Sequence, residues 1–225
     1  MKDDPATTLD TLLHSRHSCR AFRADPVPDA VIAEITASAG RVPSWCNAQP
    51  WQVIVTRAPE TDRFRDALLA AATSQPPKPD LEWPRQYAGV YKERRRTCGF
   101  QLYDSLGIPK EDRAATHAQM LENYRLFGAP HVAIITTEAD LGPYGAMDSG
   151  GFVAVFTLAA QARGVASIPQ AAVAAQAPFL RDWFAIPQER HILCAISFGY
   201  ADPDHPANAF RTERAPLSEI LDWRG

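Results

Sequence analysis

Paired cysteines are missing: Cys19, Cys46, Cys98 and Cys194 are scattered with no Cys-x-x-Cys, and the six histidines form no His-Glu-x-x-His and no two-histidine turn. Tetrahedral zinc draws its ligands from such spacings, so no metal is expected. Cys194, in an apolar strand-like run, reads as a buried hydrophobe, and Cys46, in a polar loop, as the accessible thiol. A dominant charge is missing too. With a net charge of −3 the chain has no bulk electrostatic reason to hold nucleic acid or an anionic membrane, although basic clusters remain suited to small anions. Neither is expected as a partner. The longest apolar run, around Phe152 to Ala160, is too short to span a bilayer, and the acidic start MKDDPATTLD lacks the apolar core of a signal peptide. A cytoplasmic location is the expectation.

Familiar catalytic signatures are just as scarce. In GPYGAMDSGG, Gly145 and Gly150 fit the spacing of a phosphate loop, but Gly151 stands where its lysine must be. Ala195-Ile-Ser-Phe-Gly199 imitates a nucleophile elbow, yet Ser197 lies inside an apolar strand-like run and the Tyr-Ala-Asp-Pro-Asp that follows does not start a helix. A hydrolase is therefore disfavoured. No dinucleotide fingerprint, triad or carboxylate pair is recognisable.

What is present is a chain of 225 residues, 46% hydrophobic, long enough for one domain with a substantial core. Its most informative stretch is PSWCNAQPWQVIV, Pro43 to Val55: a short apolar strand introduced by two prolines, two tryptophans, Ser44, Asn47 and Gln49. Amides and indoles on a backbone stiffened by proline suit a planar ligand with polar edges; the plainer reading is a loop whose Trp51 plugs the core. Before it, a short helix over Thr8–Ser15 delivers Arg16, Ser18 and Arg20, which share one side of an extended exit. Two guanidiniums and a hydroxyl suit a phosphate or a ring carbonyl, the alternative being a solvated basic surface.

The remaining elements follow from periodicity and punctuation. Helices are expected over Ala30–Ala39, from Pro59-Glu60 through Ala72, over Glu111–Phe127, over Ala146–Arg163 with burial on all sides, in a core or between subunits, and after Val173 to about Phe184. Strands are expected at 51–56, at His131–Thr137 in a central position, at Val165–Val173 broken by Pro169, and at Ile192–Phe198. Residues 73–109, rich in proline, aromatics and arginine, read as a lid-like insertion in a single domain spanning 1–225. The run Arg94-Arg95-Arg96 reads as a solvated helix face. The tail from Asn208 finishes extended and needs something else to pack on.

Four segments in order, Arg16-His17-Ser18-Cys19-Arg20-Ala21-Phe22, Pro43–Trp51, Ile168-Pro169-Gln170-Ala171, and Asn208 through Arg214-Ala215-Pro216, resemble the landmarks of the FMN-dependent nitroreductase family. The insertion and Asn123-Tyr-Arg-Leu-Phe-Gly-Ala-Pro130 are most similar to its nitrobenzoate reductase branch. The resemblance implies an α+β fold with a mixed, mostly antiparallel central sheet wrapped by helices, an intertwined homodimer, and one FMN per subunit at the interface. It implies that Arg16, Ser18 and Arg214 hold the FMN phosphate and ribityl chain with Arg211 assisting and His17 beside them, and that Arg20 sits near N1 and O2. Ser44 and Asn47 would reach the flavin held mainly by the other subunit. Pro169 and the backbone amides around Gln170 and Ala171 would face N5 and O4, with Asn123 or Arg125 at the pyrimidine edge.

No side chain is then needed as a catalytic acid or base, because the flavin carries the hydride, and a guanidinium near N1 stabilises the negative charge of the reduced ring. The expected activity is transfer of hydride from NADPH or NADH through FMN to a nitroaromatic such as a nitrobenzoate-like compound, a quinone or another small flat acceptor. Enone reduction, dehalogenation or oxidation on the same fold, or flavin binding without reductase activity, are the alternatives. Trp45-Cys46 replaces small polar residues common in the family, which implies a more aromatic pocket on the partner side.

Overall fold

The computed structural model describes residues 4–225. In chain order the helices and strands are α1 (Pro5–Ser15), α2 (Asp29–Ala39), β1 (Gln52–Val55), α3 (Glu60–Ser74), α4 (Gly89–Ser105), α5 (Arg113–Leu121), β2 (His131–Glu138), α6 (Gly142–Gln161), β3 (Ala166–Gln170), α7 (Ala171–Ala174), α8 (Ala177–Phe184) and β4 (Arg190–Gly199). The four strands form one sheet in the order β1-β2-β4-β3, every neighbouring pair antiparallel. The parallel component among the described residues is a single bridge from Ser18, outside the named strands, to Ser167 of β3.

The continuous apolar character of β2 follows from its place: all its residues but Glu138 are buried, between strands on both edges and helices on both faces. Alternation assigns Ala133 and Ile135, with Ile196 and Phe198 of β4, to a core shared with α2 and α6 through Ile32, Ile35, Phe152 and Phe156. Val132 and Ile134, with Ala195, face the opposite core, built by Phe64 and Leu68 of α3, Val173 of α7 and Leu180 of α8. Gly145 of α6, once a phosphate-loop candidate, has a packing reason instead: a Cβ there would lie 2.8 Å from Thr137 Oγ1 and from Leu141 Cβ.

Three expectations change. The helix expected over Glu111–Phe127 ends at Leu121, and the chain turns so that Leu126 and Phe127 take φ of 56° and 52°. Their side chains are nearly fully buried, and that burial outweighs a left-handed backbone cost of about 1–2 kcal/mol per residue. Pro169 does not break its strand but lies within β3, opposite Ile196. An edge strand tolerates the missing N–H because only one side must pair. Helix α6 begins at Gly142, ahead of the expected Ala146, and is not buried all round in the single chain: Phe152, Phe156 and Ala160 are buried while Ala154 is exposed.

Residues 75–88 carry no helix or strand, yet they are fastened to the body. Lys78 N donates to Ala175 O at 2.7 Å, and Asp80 accepts from Arg181 Nη2 at 3.0 and 3.1 Å and from Ile192 N at 2.8 Å. Arg181 also reaches Gln188 and the Arg190 carbonyl. Beyond Asp80 the excursion rides over the surface: residues 81–88 are all exposed, and no residue of α4 is fully buried. Asp80→Ala strands a mostly buried guanidinium and a strand N–H, and is expected to cost about 2–4 kcal/mol in urea unfolding. Asp80→Asn, which keeps an acceptor, should cost clearly less, and equal losses for the two would contradict this account.

Candidate active-site cleft

Arg16 caps α1 with extended backbone, and the chain leaves along the open edge of β3. Cys19 N donates to Ser167 O at 3.2 Å, while the Cys19 side chain is fully buried. Its neighbours therefore face outward, as alternation requires. A second clamp comes from the end of the chain. Asn208 accepts from Arg20 N at 2.7 Å and donates to the Ala21 carbonyl at 2.9 Å and the Asp202 carbonyl at 2.8 Å. Sequence reasoning placed Asn208 in a motif but gave it no role; its amide joins the Arg20 segment to the tail.

The result is a cavity of about 460 Å³ lined by Arg16, His17, Ser18, Arg20, Arg211 and Arg214, together with Leu13, His14, Cys98, Phe210 and Thr212. No carboxylate lines it. None of the four arginines forms an ion pair among the described residues, and the Arg16 guanidinium has no hydrogen-bond partner there. Arg214 instead bonds the Thr212 and Glu213 carbonyls, Arg211 those of Asn208 and Phe210, and Arg20 lies 5.5 Å from the Phe210 ring centre. Burial, followed by the charge of Arg214, lowers the Arg16 pKa, and burial lowers that of Arg20. His17 is lowered as well, first by burial, then by Arg211, Arg16 and Arg20 against a bond to the Ser15 carbonyl. Uncompensated positive charge in a half-buried pocket is the donor set of an anion site.

A second cavity, about 290 Å³, shares Ser18 and Arg20 with the first, so the two are halves of one cleft. Its walls are Ile168-Pro169-Gln170-Ala171 on one side and Leu102, Tyr103, Met120, Asn123 and Phe127 on the other. Proline without an N–H ends the hydrogen-bonding edge of β3 here. An elongated ligand with an anionic tail and a flat, polar-edged head matches the cleft as a whole. Helix α4 runs along it, Cys98 lining the cationic half and Leu102 and Tyr103 the flat half; the sequence suggested a lid over 73–109 without singling out which side chains meet the cleft.

The structure does not bring every candidate together. Arg125 is half-exposed, pairs with Glu122 at 2.8 Å and lines neither half of the cleft. Ser44 and Asn47 also lie outside it, on an exposed loop where Cys46, Asn47 and Gln49 all have positive φ. Ser44 Oγ closes that loop by accepting from Gln49 N at 2.9 Å, and Trp45 N donates to Asp148 at 3.0 Å. Of the two indoles, Trp51 stacks on Phe152 in the core, 5.5 Å between centres, and Trp45 is exposed against Tyr144. Cys46 is exposed and Cys194 packs beside the core, its thiol pushed up to about 12 by burial. Ser197 is fully buried and no nucleophile. Among the described residues no cluster of His, Cys, Asp and Glu could hold a metal, and no helix is long and apolar enough to cross a membrane.

Residues 13–200 match the family described as the nitroreductase family. The chain is 35% identical over 217 residues to nitroreductase NfnB of Mycolicibacterium smegmatis, covering 96% of this chain and 92% of that protein. It is 32% identical over 218 residues to a 4-nitrobenzoate reductase of Pseudomonas putida, covering 96% of each. Its structure superposes on that of the FMN-dependent nitroreductase NfnB from Mycobacterium smegmatis in complex with NADPH with a TM-score of 0.94 at 34% identity, covering 99% of this chain and 100% of the other. Clamped arginines at one end, a proline-edged flat wall at the other, and likeness along nearly the whole length agree: the chain belongs to the nitroreductase family.

Proposed function

We propose that this protein is an FMN-dependent oxidoreductase that takes reducing equivalents from NAD(P)H and delivers them to a nitroaromatic acceptor. The observation that carries the reading is the cleft: four arginines without a carboxylate at one end and a flat wall at the other, in a chain similar to enzymes named for this activity. FMN, when bound, supplies the hydride chemistry between nicotinamide and acceptor.

The chain's own residues bind and orient. Arg16, Arg214 and Ser18 hold the phosphate end, Arg211 assists and His17 lines the same half. Arg20, fixed by Asn208 and Phe210 where the halves meet, offers a permanent positive charge to negative charge developing on a bound ring. Pro169, Gln170, Ala171 and Asn123 frame the flat head. Leu102, Tyr103 and Met120 reduce water access and favour flat aromatic acceptors. The 73–109 insertion acts here as a lid through Cys98, Leu102 and Tyr103, and its basic and aromatic composition favours an anionic acceptor such as a nitrobenzoate. A quinone fits the same flat space. A cytoplasmic setting goes with NAD(P)H as donor.

The assembly proposed is a homodimer in which Ser44 and Asn47 complete the second subunit's cleft. Its support is that neither residue lines the cleft of its own chain, and that Trp45, Tyr144, Met147, Leu217, Ile220 and Trp223 are exposed apolar side chains.

The purified protein should show bound-flavin absorption that bleaches anaerobically with NADPH or NADH and recovers on adding 4-nitrobenzoate. A colourless protein that takes up no added FMN refutes the reading. Arg214→Ala should weaken FMN binding by about 1.5–3 kcal/mol, measured by fluorescence titration, and an unchanged dissociation constant removes Arg214 from the phosphate site. Light scattering at micromolar concentration should give twice the chain mass; a monomer contradicts the shared cleft.

A further inference from the structure

Ser197 is fully buried in β4, and its hydroxyl donates to Gln170 Oε1 at 2.5 Å. The strand register explains the meeting. Ser197 pairs with Ile168 and Ala195 with Gln170, so Ser197 and Gln170 are diagonal neighbours on one face of the sheet. Gln170 is 2% exposed and spends its amide hydrogens on Asn123, at 2.8 Å to the carbonyl and 3.4 Å to Oδ1. A backbone carbonyl only accepts, so Nε2 must face Asn123, Oε1 must face Ser197, and the hydroxyl must donate. No other hydrogen-bond partner reaches Gln170 Oε1 among the described residues.

That chain of two links crosses the flat half of the cleft from beneath. Gln170 belongs to one wall, with Pro169 and Ala171, and Asn123 to the other, with Met120 and Phe127. The Asn123 wall is a turn that carries two left-handed residues and lies beyond the end of α5, so little regular secondary structure holds its distance from β3. We propose that Ser197 is a positioning residue for the oxidoreductase: from inside the core, its hydroxyl orients the Gln170 amide and thereby sets the gap between the two walls that frame the flat head of the cofactor. Removing it leaves a buried carbonyl oxygen unpaired and the amide free to turn from Asn123. The serine that imitates a nucleophile elbow thus acts through Gln170 and never meets substrate.

The inference rests on the functional reading above for what occupies the gap, and the test separates the two. Ser197→Ala and Ser197→Thr are compared with the parent as FMN-loaded enzymes. In Ser197→Ala the flavin absorption maxima and midpoint potential should shift, the Gln170 side-chain amide resonances should move, and kcat should fall about tenfold with a smaller change in KM. Ser197→Thr, which keeps the donor, should restore these readouts. If Ser197→Ala does not fold, Ser197→Cys, similar in size with a weaker donor, carries the same comparison. Parent-like absorption, potential and kcat in the serine-deleted enzyme overturn the proposal even if its melting temperature has dropped, since a purely structural hydroxyl would do that. A parent that binds no FMN sinks the functional reading instead, and unmoved Gln170 resonances in the flavin-free Ser197→Ala protein would then dispose of the positioning role as well.

Discussion

One backbone hydrogen bond, from Cys19 to the carbonyl of Ser167, docks the segment after α1 on the free edge of the sheet, and the cationic half of the cleft depends on it. An edge strand must satisfy its outward groups somehow, and here it does so with a short stretch of chain that carries Arg16, Ser18 and Arg20 on its outer side. Asn208 closes the arrangement from the other end of the sequence, bonding the Arg20 amide and the Ala21 carbonyl. Without that pair of attachments Arg16, Ser18 and Arg20 would be three flexible side chains on a loop. With them, mutual repulsion is held in place, which is what makes the site receptive to an anion.

Strain in the backbone is concentrated where the chain leaves the regular core. Cys46, Asn47 and Gln49 are left-handed in one loop and Leu126 and Phe127, followed by Gly128, in another. Such conformations persist only where the surroundings over-determine them. In the second loop the buried Leu126 and Phe127 do this, and the reward is the placement of Asn123 over the flat half of the cleft. In the first, Asp148 and the internal Ser44 bond hold the turn, and the buried Arg190 anchors its end through the Pro50 carbonyl at 2.8 Å.

Much of this was legible in the letters, for physical reasons that differ from place to place. The sheet strands announce themselves because burial on both faces demands unbroken apolar runs, as in His131–Thr137. Arg16, Ser18 and Arg20 were legible because alternation along an extended exit needs no tertiary information. The clamp by Asn208 and the particular side chains Cys98, Tyr103 and Met120 in the cleft were not, since each depends on distant elements folding together. Trp51 could be read as part of a ligand wall or as a plug for the core, and its ring fills the space beside Phe152. The end of α5 could not be read either, because Leu126 and Phe127 continue the helical spacing while their burial requires the chain to turn.

By itself the sequence determined the alternation of strands and helices and the convergence of the first arginines. Those properties are local, set by spacing and residue chemistry along a few turns of chain. Tertiary structure alone decided which arginines meet across nearly two hundred residues, that Pro169 ends an edge rather than a strand, and that Ser197 serves Gln170. Each of these depends on register between strands distant in sequence, and register is fixed by packing the whole core at once.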